Sequence, residues 1–405
     1  MDLVGAWAAV SGRLLRVEVA PDSLFGPENM PYGVFAPPGE SFRVGVRLGD
    51  MVLDLAALLG DPVFARPDLN AFLATGPARW GAVRARLREL ADTALPVEVV
   101  HPVRSVRMAL PVTIGDYVDF YASIDHATNL GRLFRPDSEP LLPNWRHLPV
   151  GYHGRAGTVV VSGTPVIRPQ GQRRTDSGAP EFGPSQRLDI EAELGFVVGT
   201  GSTLGVPVGV DDFAAHVFGV ALVNDWSARD IQAWEYQPLG PFLGKSFATS
   251  LSAWVTPLAA LEQARVPLPT QEPEPLPYLR GTADHGLDID LAVSWNGHVV
   301  SRPPYARMYW SPAQMLAHLT ANGASIRPGD LYASGTISGP EPTQRGSFIE
   351  LSWGGTEPIT VGEETRTFLT DGDDVTITAT APGTAGRRIG LGEVSGRILS
   401  ARSAP

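Results

Sequence analysis

The segment Leu188–Phe196 alternates strictly between apolar residues and residues that are either acidic or glycine. This period of two is that of a β-strand, whose successive side chains point to opposite faces of a sheet. One face of the strand is therefore apolar, and the other carries Asp189, Glu191 and Glu193. Neighbouring carboxylates repel each other unless water, arginine or a cation lies between them. Taken alone, the segment fits an exposed edge strand with a solvated acidic face better than a binding site.

Glycine and proline are abundant in this chain of 405 residues, with 44 and 37 copies. Both residues favour tight turns over helix interiors, so we expect a mainly β fold with some α-helix. Asn296-Gly297 lies between two strand-like flanks and predicts a hairpin. Because the chain has no cysteine, disulfides, thiolate catalysis and cysteine-ligated zinc are excluded.

The net charge of −11 argues against nucleic acid or an anionic membrane as a partner. It does not argue against an anionic small-molecule substrate, because a local cluster of arginine and lysine can override the global sign. The first residues lack the charged start and compact apolar run of a signal peptide, and no stretch has the length of a membrane span. We therefore expect a cytoplasmic protein.

The segment Asn224–Thr249 is predicted to contain a helix, and one face of that helix is unusually polar. Four of its residues follow one another at intervals of four, three and four, namely Asp225, Arg229, Gln232 and Tyr236. On a helix they would share one face, which is too polar for a core stripe, although a solvated face is an equally good interpretation. Lys245 follows Gly240 and Gly244, which are spaced too closely for a phosphate-binding loop, so we exclude nucleotide binding.

Two further segments carry groups that are suited to acid–base chemistry. Asp119 lies on a predicted strand and His126 follows it, although a lone histidine is more often structural than catalytic. In Ser347–Trp353 the alternation predicts a strand on which Glu350 shares a face with Phe348. Glu350 is therefore expected to be partly buried and to need a partner.

Carboxylates from three segments are candidates for one shared site, namely Asp119, Glu191, Glu193 and Asp225. An all-oxygen shell without histidine or cysteine selects a hard cation, either Ca²⁺ or Mg²⁺. Tyr152 lies in an aromatic, proline-rich segment that would line a pocket, although a plain buried loop is an equal alternative. Thr336 lies in a loop of small residues that would let a ligand approach the backbone.

Five runs of the sequence resemble the fumarylacetoacetase family and occur in its order: DYVDFYASIDHATNLGRLFR, LLPNWRHLPVGYHGRAGTVVVSGTP, RLDIEAELGFVVG, VNDWSARDIQAWEYQPLGPFLGKSFATS, and ASGTISGPEP with GSFIELSW. The carboxylate motifs are shared by a broader superfamily, whereas the second and fourth runs are more specific to the hydrolase. The resemblance implies a small β-rich, SH3-like N-terminal domain at residues 1–112. It also implies a mixed β-sandwich roll at residues 113–405, which would be the catalytic domain of the fumarylacetoacetase type.

The resemblance further implies metal-dependent hydrolysis of the carbon–carbon bond of 4-fumarylacetoacetate to fumarate and acetoacetate, the last step of tyrosine and phenylalanine catabolism. The partners it implies are this diketo dicarboxylate and a second copy of the chain, as a homodimer. The four carboxylates would hold Ca²⁺ or Mg²⁺, and Lys245 and Thr249 would join Asp225 at a second cation position. His126 would be the general base, oriented by Glu350.

The remaining roles also follow from the resemblance alone. The groups that would stabilise the developing oxyanion are Arg229, Gln232 and Lys245. The residues that would bind the substrate are Tyr121, Arg135, Tyr152, Gln232, Tyr236 and Thr336. Two positions depart from the family pattern: Ala248 stands where glycine is usual, and Asp125 precedes His126 where a basic or amide residue is expected.

Two alternative functions stay open from the sequence. One is a related acylpyruvate or diketo-acid hydrolase or decarboxylase of the same superfamily. The other is a binding module without catalysis, in which the four carboxylates only stabilise the fold around a cation. The presence of His126, Glu350 and Lys245 favours an enzyme over the binding module.

Overall fold

The computed structural model describes residues 13–175 and 178–403. The expectation about a signal peptide therefore falls largely outside the described residues. The helices are α1 Leu55–Leu59, α2 Asn70–Leu73, α3 Pro77–Ala91, α4 Ile124–Phe134, α5 Phe213–His216, α6 Arg229–Glu235, α7 Pro312–Thr320 and α8 Phe348–Leu351. Strand outnumbers helix in this part of the chain, so the predicted mainly β fold with some helix is confirmed.

The strands of the first half are β1 Leu14–Arg16, β2 Tyr32–Ala36, β3 Arg43–Leu48, β4 Met51–Asp54, β5 Ala94–Pro96, β6 Val100–Pro102, β7 Arg107–Ala109, β8 Tyr117–Phe120, β9 Gly151–His153, β10 Val159–Val161, β11 Val166–Ile167, β12 Gln170–Arg174, β13 Pro180–Pro184, β14 Leu188–Asp189 and β15 Ala192–Val198. Those of the second half are β16 Val217–Asp225, β17 Ser227–Ala228, β18 Thr249–Leu251, β19 Trp254–Pro257, β20 Arg265–Val266, β21 Gly286–Leu287, β22 Asp290–Trp295, β23 His298–Ser301, β24 Leu331–Ala333, β25 Ile359–Val361, β26 Glu364–Arg366, β27 Asp374–Pro382 and β28 Arg388–Leu399.

A 13-stranded sheet runs through the protein, and its main path is β6-β4-β3-β2-β19-β16-β15-β24-β8-β9. The N-terminal strands join the rest of the sheet where β2 pairs with β19, with Gly33 opposite Trp254. A Cβ at Gly33 would lie 2.8 Å from the Ala253 carbonyl oxygen, so only glycine allows this close approach. The division near residue 112 stays a prediction, and one continuous sheet crosses it.

A second sheet of five strands, in the order β11-β28-β27-β22-β23, packs over the first. The predicted hairpin forms its edge, and Asn296 and Gly297 take positive φ values of 50° and 81°, as a tight two-residue turn requires. The two sheets bury one common apolar core, to which both contribute side chains such as Leu194, Phe196, Leu222, Val293, Ile377 and Val394. This core fixes the strands whose ends carry the polar groups of the site.

The acidic segment is a central strand, so its interpretation as an exposed edge is wrong. It is interrupted at residues 190–191 to give β14 and β15, and β15 pairs with β16 on one side and β24 on the other. Its apolar residues lie in the core, and Asp189 and Glu193 on the other face are fully buried. The polar face therefore looks into an enclosed site rather than into solvent.

Two predicted elements differ from the structure. Asp225 is the last residue of β16 rather than part of a helix, because the apolar run before it forms a buried strand paired on both sides. The polar helix starts only at Arg229. The segment around Glu350 is the short helix α8 rather than a strand, and Phe348 stacks on Trp295 with ring centroids 4.2 Å apart. Glu350 is fully buried, which goes beyond the partial burial that the sequence predicts.

Two helical glycines provide a test of the packing around α4. A Cβ at Gly131 would lie 2.0 Å from the Pro140 carbonyl oxygen, whereas a Cβ at Gly81, on the exposed face of α3, would meet nothing within 4 Å. We expect Gly131→Ala to lower the free energy of unfolding by about 1–3 kcal/mol through overpacking. Gly81→Ala, the matched control, should raise it by about 0.4–1 kcal/mol, because alanine restricts the unfolded chain and favours helix. Urea denaturation measures both, and equal stability of the two variants would contradict the packing described.

Candidate active site

Four carboxylates meet at the ends of the central strands, and we call them the acidic cluster: Asp119, Glu191, Glu193 and Asp225. They come from β8, from the break before β15, from β15 itself and from the end of β16. One oxygen atom of each lies within 4.8 Å of the others, and no member is more than 5% exposed. The structure thus brings together the carboxylates that the sequence left on three separate segments.

Two buried cations balance part of this charge. The Lys245 ammonium forms ion pairs with Glu191 and with Asp225, the latter at 2.6 Å. Arg229 Nη1 lies 2.8 Å from Glu191 Oε1. Burial alone raises the pKa of a carboxyl, but Lys245 and Arg229 hold the pKa of Glu191 below its ordinary value. Glu191 is therefore ionised in the folded protein.

Asp119 and Glu193 form no ion pair within the described residues, and the charge of Lys245 offsets only part of their repulsion. Within the described residues no donor reaches Asp119 Oδ1 or either carboxylate oxygen of Glu193. Burial, followed by the charges of the neighbouring carboxylates, raises the pKa of both groups well above the ordinary value. Buried oxygens without donors, in an all-carboxylate set, are the ligands of a hard divalent cation. The residues present fit such an ion.

His126 lies beside the acidic cluster, and each of its ring nitrogens has a carboxylate as its neighbour. Its Nδ1 is 2.7 Å from Glu350 Oε2, and its Nε2 is 4.0 Å from Glu191 Oε1. Because the Glu350 carboxylate only accepts, Nδ1 carries the proton and Nε2 keeps a free lone pair. Burial opposes ionisation of Glu350, but attraction to the imidazolium form of His126 and hydrogen bonds from His126, Asn129 and Ser347 lower its pKa. This is the geometry of an oriented general base.

Three side chains that sequence reasoning did not select also hold Glu350. Asn129 Nδ2 donates to Oε1 at 2.9 Å, and the hydroxyls of Ser338 and Ser347 donate to Oε2 at 3.0 and 2.7 Å. Asn129 lies three residues after His126 on α4, so the two side chains share one face of the helix. That spacing is the feature of the sequence from which Asn129 could have been predicted. The serines come from loops whose positions only the fold reveals.

A cavity of about 440 Å³ opens in front of His126 and the acidic cluster. Most of the predicted catalytic and substrate-binding residues line it, namely Tyr121, His126, Arg135, Tyr152, Arg229, Gln232, Tyr236, Lys245 and Thr336. Glu350 lies behind His126 and does not line it, and Tyr236 lies at its rim with 39% of the residue exposed. The outer wall is apolar and includes Phe134, Leu142 and Leu239.

Several buried donors on this cavity have no partner in the described part of the chain: Arg135 Nε, Arg229 Nη2 and Thr336 Oγ1. Burial and the nearby carboxylates raise the pKa of Tyr121 and of Tyr152, so both phenols stay protonated and can donate. Unused donors in a cavity indicate a ligand that is rich in acceptor oxygens. An anionic keto acid meets that description.

A second cavity of about 230 Å³ lies on the other side of Lys245. Asp225, Thr249 and Tyr117 line it, and Thr249 Oγ1 donates to Asp225 Oδ1 at 2.9 Å. A second cation position here stays a prediction. The Lys245 ammonium has no lone pair, so its contribution there would come from its backbone carbonyl. Ala248 is buried next to Thr249.

The sequence is similar to known proteins over nearly its whole length. The family model for the fumarylacetoacetase N-terminal region matches residues 28–111, and that for the fumarylacetoacetate (FAA) hydrolase C-terminal region matches residues 117–398. The fumarylacetoacetase of Rattus norvegicus is 48% identical over 415 aligned residues, which cover 96% of this chain and 99% of that protein. The fumarylacetoacetase of Oryza sativa subsp. japonica is 44% identical and covers 95% of this chain and 97% of that protein.

Among solved structures, a fumarylacetoacetate hydrolase from Exiguobacterium antarcticum aligns with a TM-score of 0.57 at 16% identity. The alignment covers 92% of this chain and 100% of that one. At this identity the match supports the fold alone.

The uncompensated oxygens of Glu193 lead to a test of the cation. Adding Ca²⁺ or Mg²⁺ to metal-free protein should raise Tm, because a ligand at about 100 times its Kd stabilises the folded state by about 2.7 kcal/mol. Glu193→Gln removes a carboxyl group that burial and repulsion from the neighbouring carboxylates disfavour in its ionised form, so we expect a higher Tm without metal and a largely lost response to metal. Differential scanning fluorimetry with and without chelator measures both.

The matched control is Glu262→Gln on the surface, where Glu262 pairs with Arg265. It should leave the Tm and the response to metal unchanged. A Glu193→Gln protein that keeps the full response would remove Glu193 from the cation site.

Proposed function

Because the chain belongs to the fumarylacetoacetase family and is a hydrolase of carbon–carbon bonds, we propose that it cleaves 4-fumarylacetoacetate to fumarate and acetoacetate. This reaction is the last step of tyrosine and phenylalanine catabolism. The observation that carries the proposal is the buried His126–Glu350 pair, which faces the same cavity as the acidic cluster and two buried cationic side chains. A binding module would have no use for the oriented base.

We propose that the acidic cluster holds Ca²⁺ or Mg²⁺. Asp119 and Glu193 offer oxygens that no protein donor uses, and Glu191 is ionised already. When bound, such an ion would polarise the oxygens of the diketone and stabilise the enolate that carbon–carbon cleavage expels. The choice between the two cations rests on cavity size and ligand number, which the metal-bound protein would reveal.

His126 supplies the base. Its Nε2 would accept a proton from water while Nδ1 keeps its hydrogen bond to Glu350, which stabilises the imidazolium that forms. The water oxygen adds to the fumaryl carbonyl carbon, and the bond from that carbon to the neighbouring methylene then breaks. Fumarate leaves as the acid, and acetoacetate leaves as its enolate. The enolate carbon takes up one proton, which His126 Nε2 can return.

Arg229, Gln232 and Lys245 would donate to the oxyanion that develops on the attacked carbonyl. Arg229 and Lys245 are both buried, and the neighbouring carboxylates raise the pKa of each although burial lowers it. Both side chains therefore stay cationic. Donors held in a site that excludes water need little reorganisation as charge develops, and one such donor is typically worth about 10²–10³ in rate.

Arg135 would bind a carboxylate of the substrate. Its Nη2 donates to the Pro140 carbonyl at 2.8 Å, which anchors the guanidinium at the apolar end of the cavity. Its Nε has no partner among the described residues. A guanidinium can engage a carboxylate through two parallel hydrogen bonds, which selects a dicarboxylate over a neutral ketone.

No helix in the described ranges is both long and apolar enough to cross a lipid bilayer.

We also propose that the enzyme is a cytoplasmic homodimer, as the family resemblance implies. Light scattering during gel filtration measures the mass of the assembly directly. A mass equal to one chain at micromolar concentration would refute the dimer.

The base assignment predicts the effect of removing one imidazole. His126→Ala should lower kcat on fumarylacetoacetate by about 10²–10⁴, the usual contribution of general acid–base catalysis. Loss of the diketone ultraviolet absorbance measures the rate, and an acylpyruvate assayed in parallel tests the related hydrolase activity. The matched control is the exposed His147, whose change to alanine should leave kcat unchanged. Turnover by His126→Ala at the wild-type rate would remove His126 from the mechanism.

Arg135 offers a test of substrate recognition. Arg135→Gln should raise KM for fumarylacetoacetate by about 10-fold or more, since hydrogen bonds between charged groups are worth about 1.5–3 kcal/mol. The effect on kcat should be smaller, because the contact exists before the transition state. Arg132→Gln, at an exposed position in the last turn of α4 just before Arg135, is the matched control and should leave KM unchanged. An unchanged KM in Arg135→Gln would place the carboxylate elsewhere.

A further inference from the structure

Asp189 is a fully buried carboxylate that no step above uses. Three backbone N–H groups donate to it: Ile190 at 2.7 Å and Phe348 at 2.7 Å on Oδ1, and Ile349 at 3.1 Å on Oδ2. The last two belong to α8, the helix that carries Glu350. Asp189 is thus held rigidly against the element that orients His126.

The fourth donor to Asp189 is a side chain of the site. Arg229 Nε donates to Asp189 Oδ2 at 2.8 Å, while Arg229 Nη1 contacts Glu191 at 2.8 Å and Gln232 at 3.2 Å. Two carboxylates therefore fix the plane of the guanidinium from two sides. The remaining nitrogen, Nη2, is buried without a partner in the described chain, and Arg229 lines the large cavity.

We propose that Asp189 is a positioning residue that fixes the Arg229 guanidinium so that Nη2 points at the reacting carbonyl. The proposal rests on the proposed function, because it assigns the purpose of that donor. The backbone of α8 also donates to Asp189, and α8 carries Glu350. The distance between Arg229, which is the oxyanion donor, and the His126–Glu350 pair is therefore fixed. A guanidinium free to turn would spend part of its time paired only with Glu191 and would lose alignment with the oxyanion.

Asp189→Asn tests this with almost no change in volume. The asparagine oxygen can still accept from Phe348 and Ile190, but its amide NH₂ then faces the Arg229 Nε–H and the Ile349 N–H, donor against donor. We expect kcat on fumarylacetoacetate to fall by about 10²-fold, the effect of one lost oxyanion donor. KM should change by less than about threefold, because the interaction strengthens in the transition state.

A double-mutant cycle with Arg229→Met separates positioning from a general structural effect. If Asp189 acts through Arg229, Asp189→Asn should cost less than about threefold in kcat once Arg229 is methionine. A loss of about 10²-fold in both backgrounds, or no loss in the wild-type background, would overturn the role. A wild-type protein that hydrolyses no diketo acid would instead remove the proposed function, so the two failures are distinguishable.

Asp230→Asn is the matched control for the cycle. Asp230 lies in the first turn of α6 and accepts three hydrogen bonds, from the Ser185 hydroxyl at 2.6 Å and from the backbone N–H groups of Gln186 at 2.8 Å and Ile231 at 3.1 Å, but it does not line the cavity. We expect it to lower Tm and to leave kcat unchanged. If Asp189→Asn does not fold, Arg229→Lys serves instead: lysine keeps the charge but cannot bridge both carboxylates and still donate into the cavity. Its kcat should fall as far as that of Arg229→Met, and near wild-type activity would overturn the role.

Discussion

Mutual repulsion among four enclosed carboxylates is the constraint on which the site depends. Taking charges out of water is costly, and the neighbours Lys245 and Arg229 neutralise only part of the acidic cluster. The chain can hold the cluster together because β15 and β16 are each paired on both sides within a large sheet and packed over a common core. The fold thereby creates a demand for positive charge at one point, which Lys245 and Arg229 meet in part and which the proposed cation would meet further.

Much of the site was predictable because its residues lie on regular, patterned segments. The alternation in Leu188–Phe196 identified Glu191 and Glu193 as residues of one face, and the asparagine–glycine pair at residues 296–297 identified a hairpin. The family resemblance then supplied roles for His126 and Glu350, and the structure brings these two within 2.7 Å. The local pattern did not predict the burial of the segment Leu188–Phe196, because an edge strand and a central strand have the same period of two.

Other features depend on contacts between distant residues. Parallel pairing of β24 with β8 brings Thr336 and Asp119 to one end of the sheet, although more than two hundred residues separate them. Asp225 was assigned to a helix because its spacing from Arg229 fits a helical turn, yet strand pairing with β15 and β18 decides its backbone. Asp189 looked like one acid among three until the fold placed Arg229 and two α8 amides around it.

The pairing of β2 with β19 has a consequence for how the chain can be divided. The N-terminal strands form backbone hydrogen bonds, and not only side-chain contacts, with the sheet whose central strands carry the acidic cluster. Without them, β19 would present a row of bare N–H and C=O groups, which is a template for strand addition from another molecule. The N-terminal strands thus cover a sheet edge that would otherwise be open to such an addition.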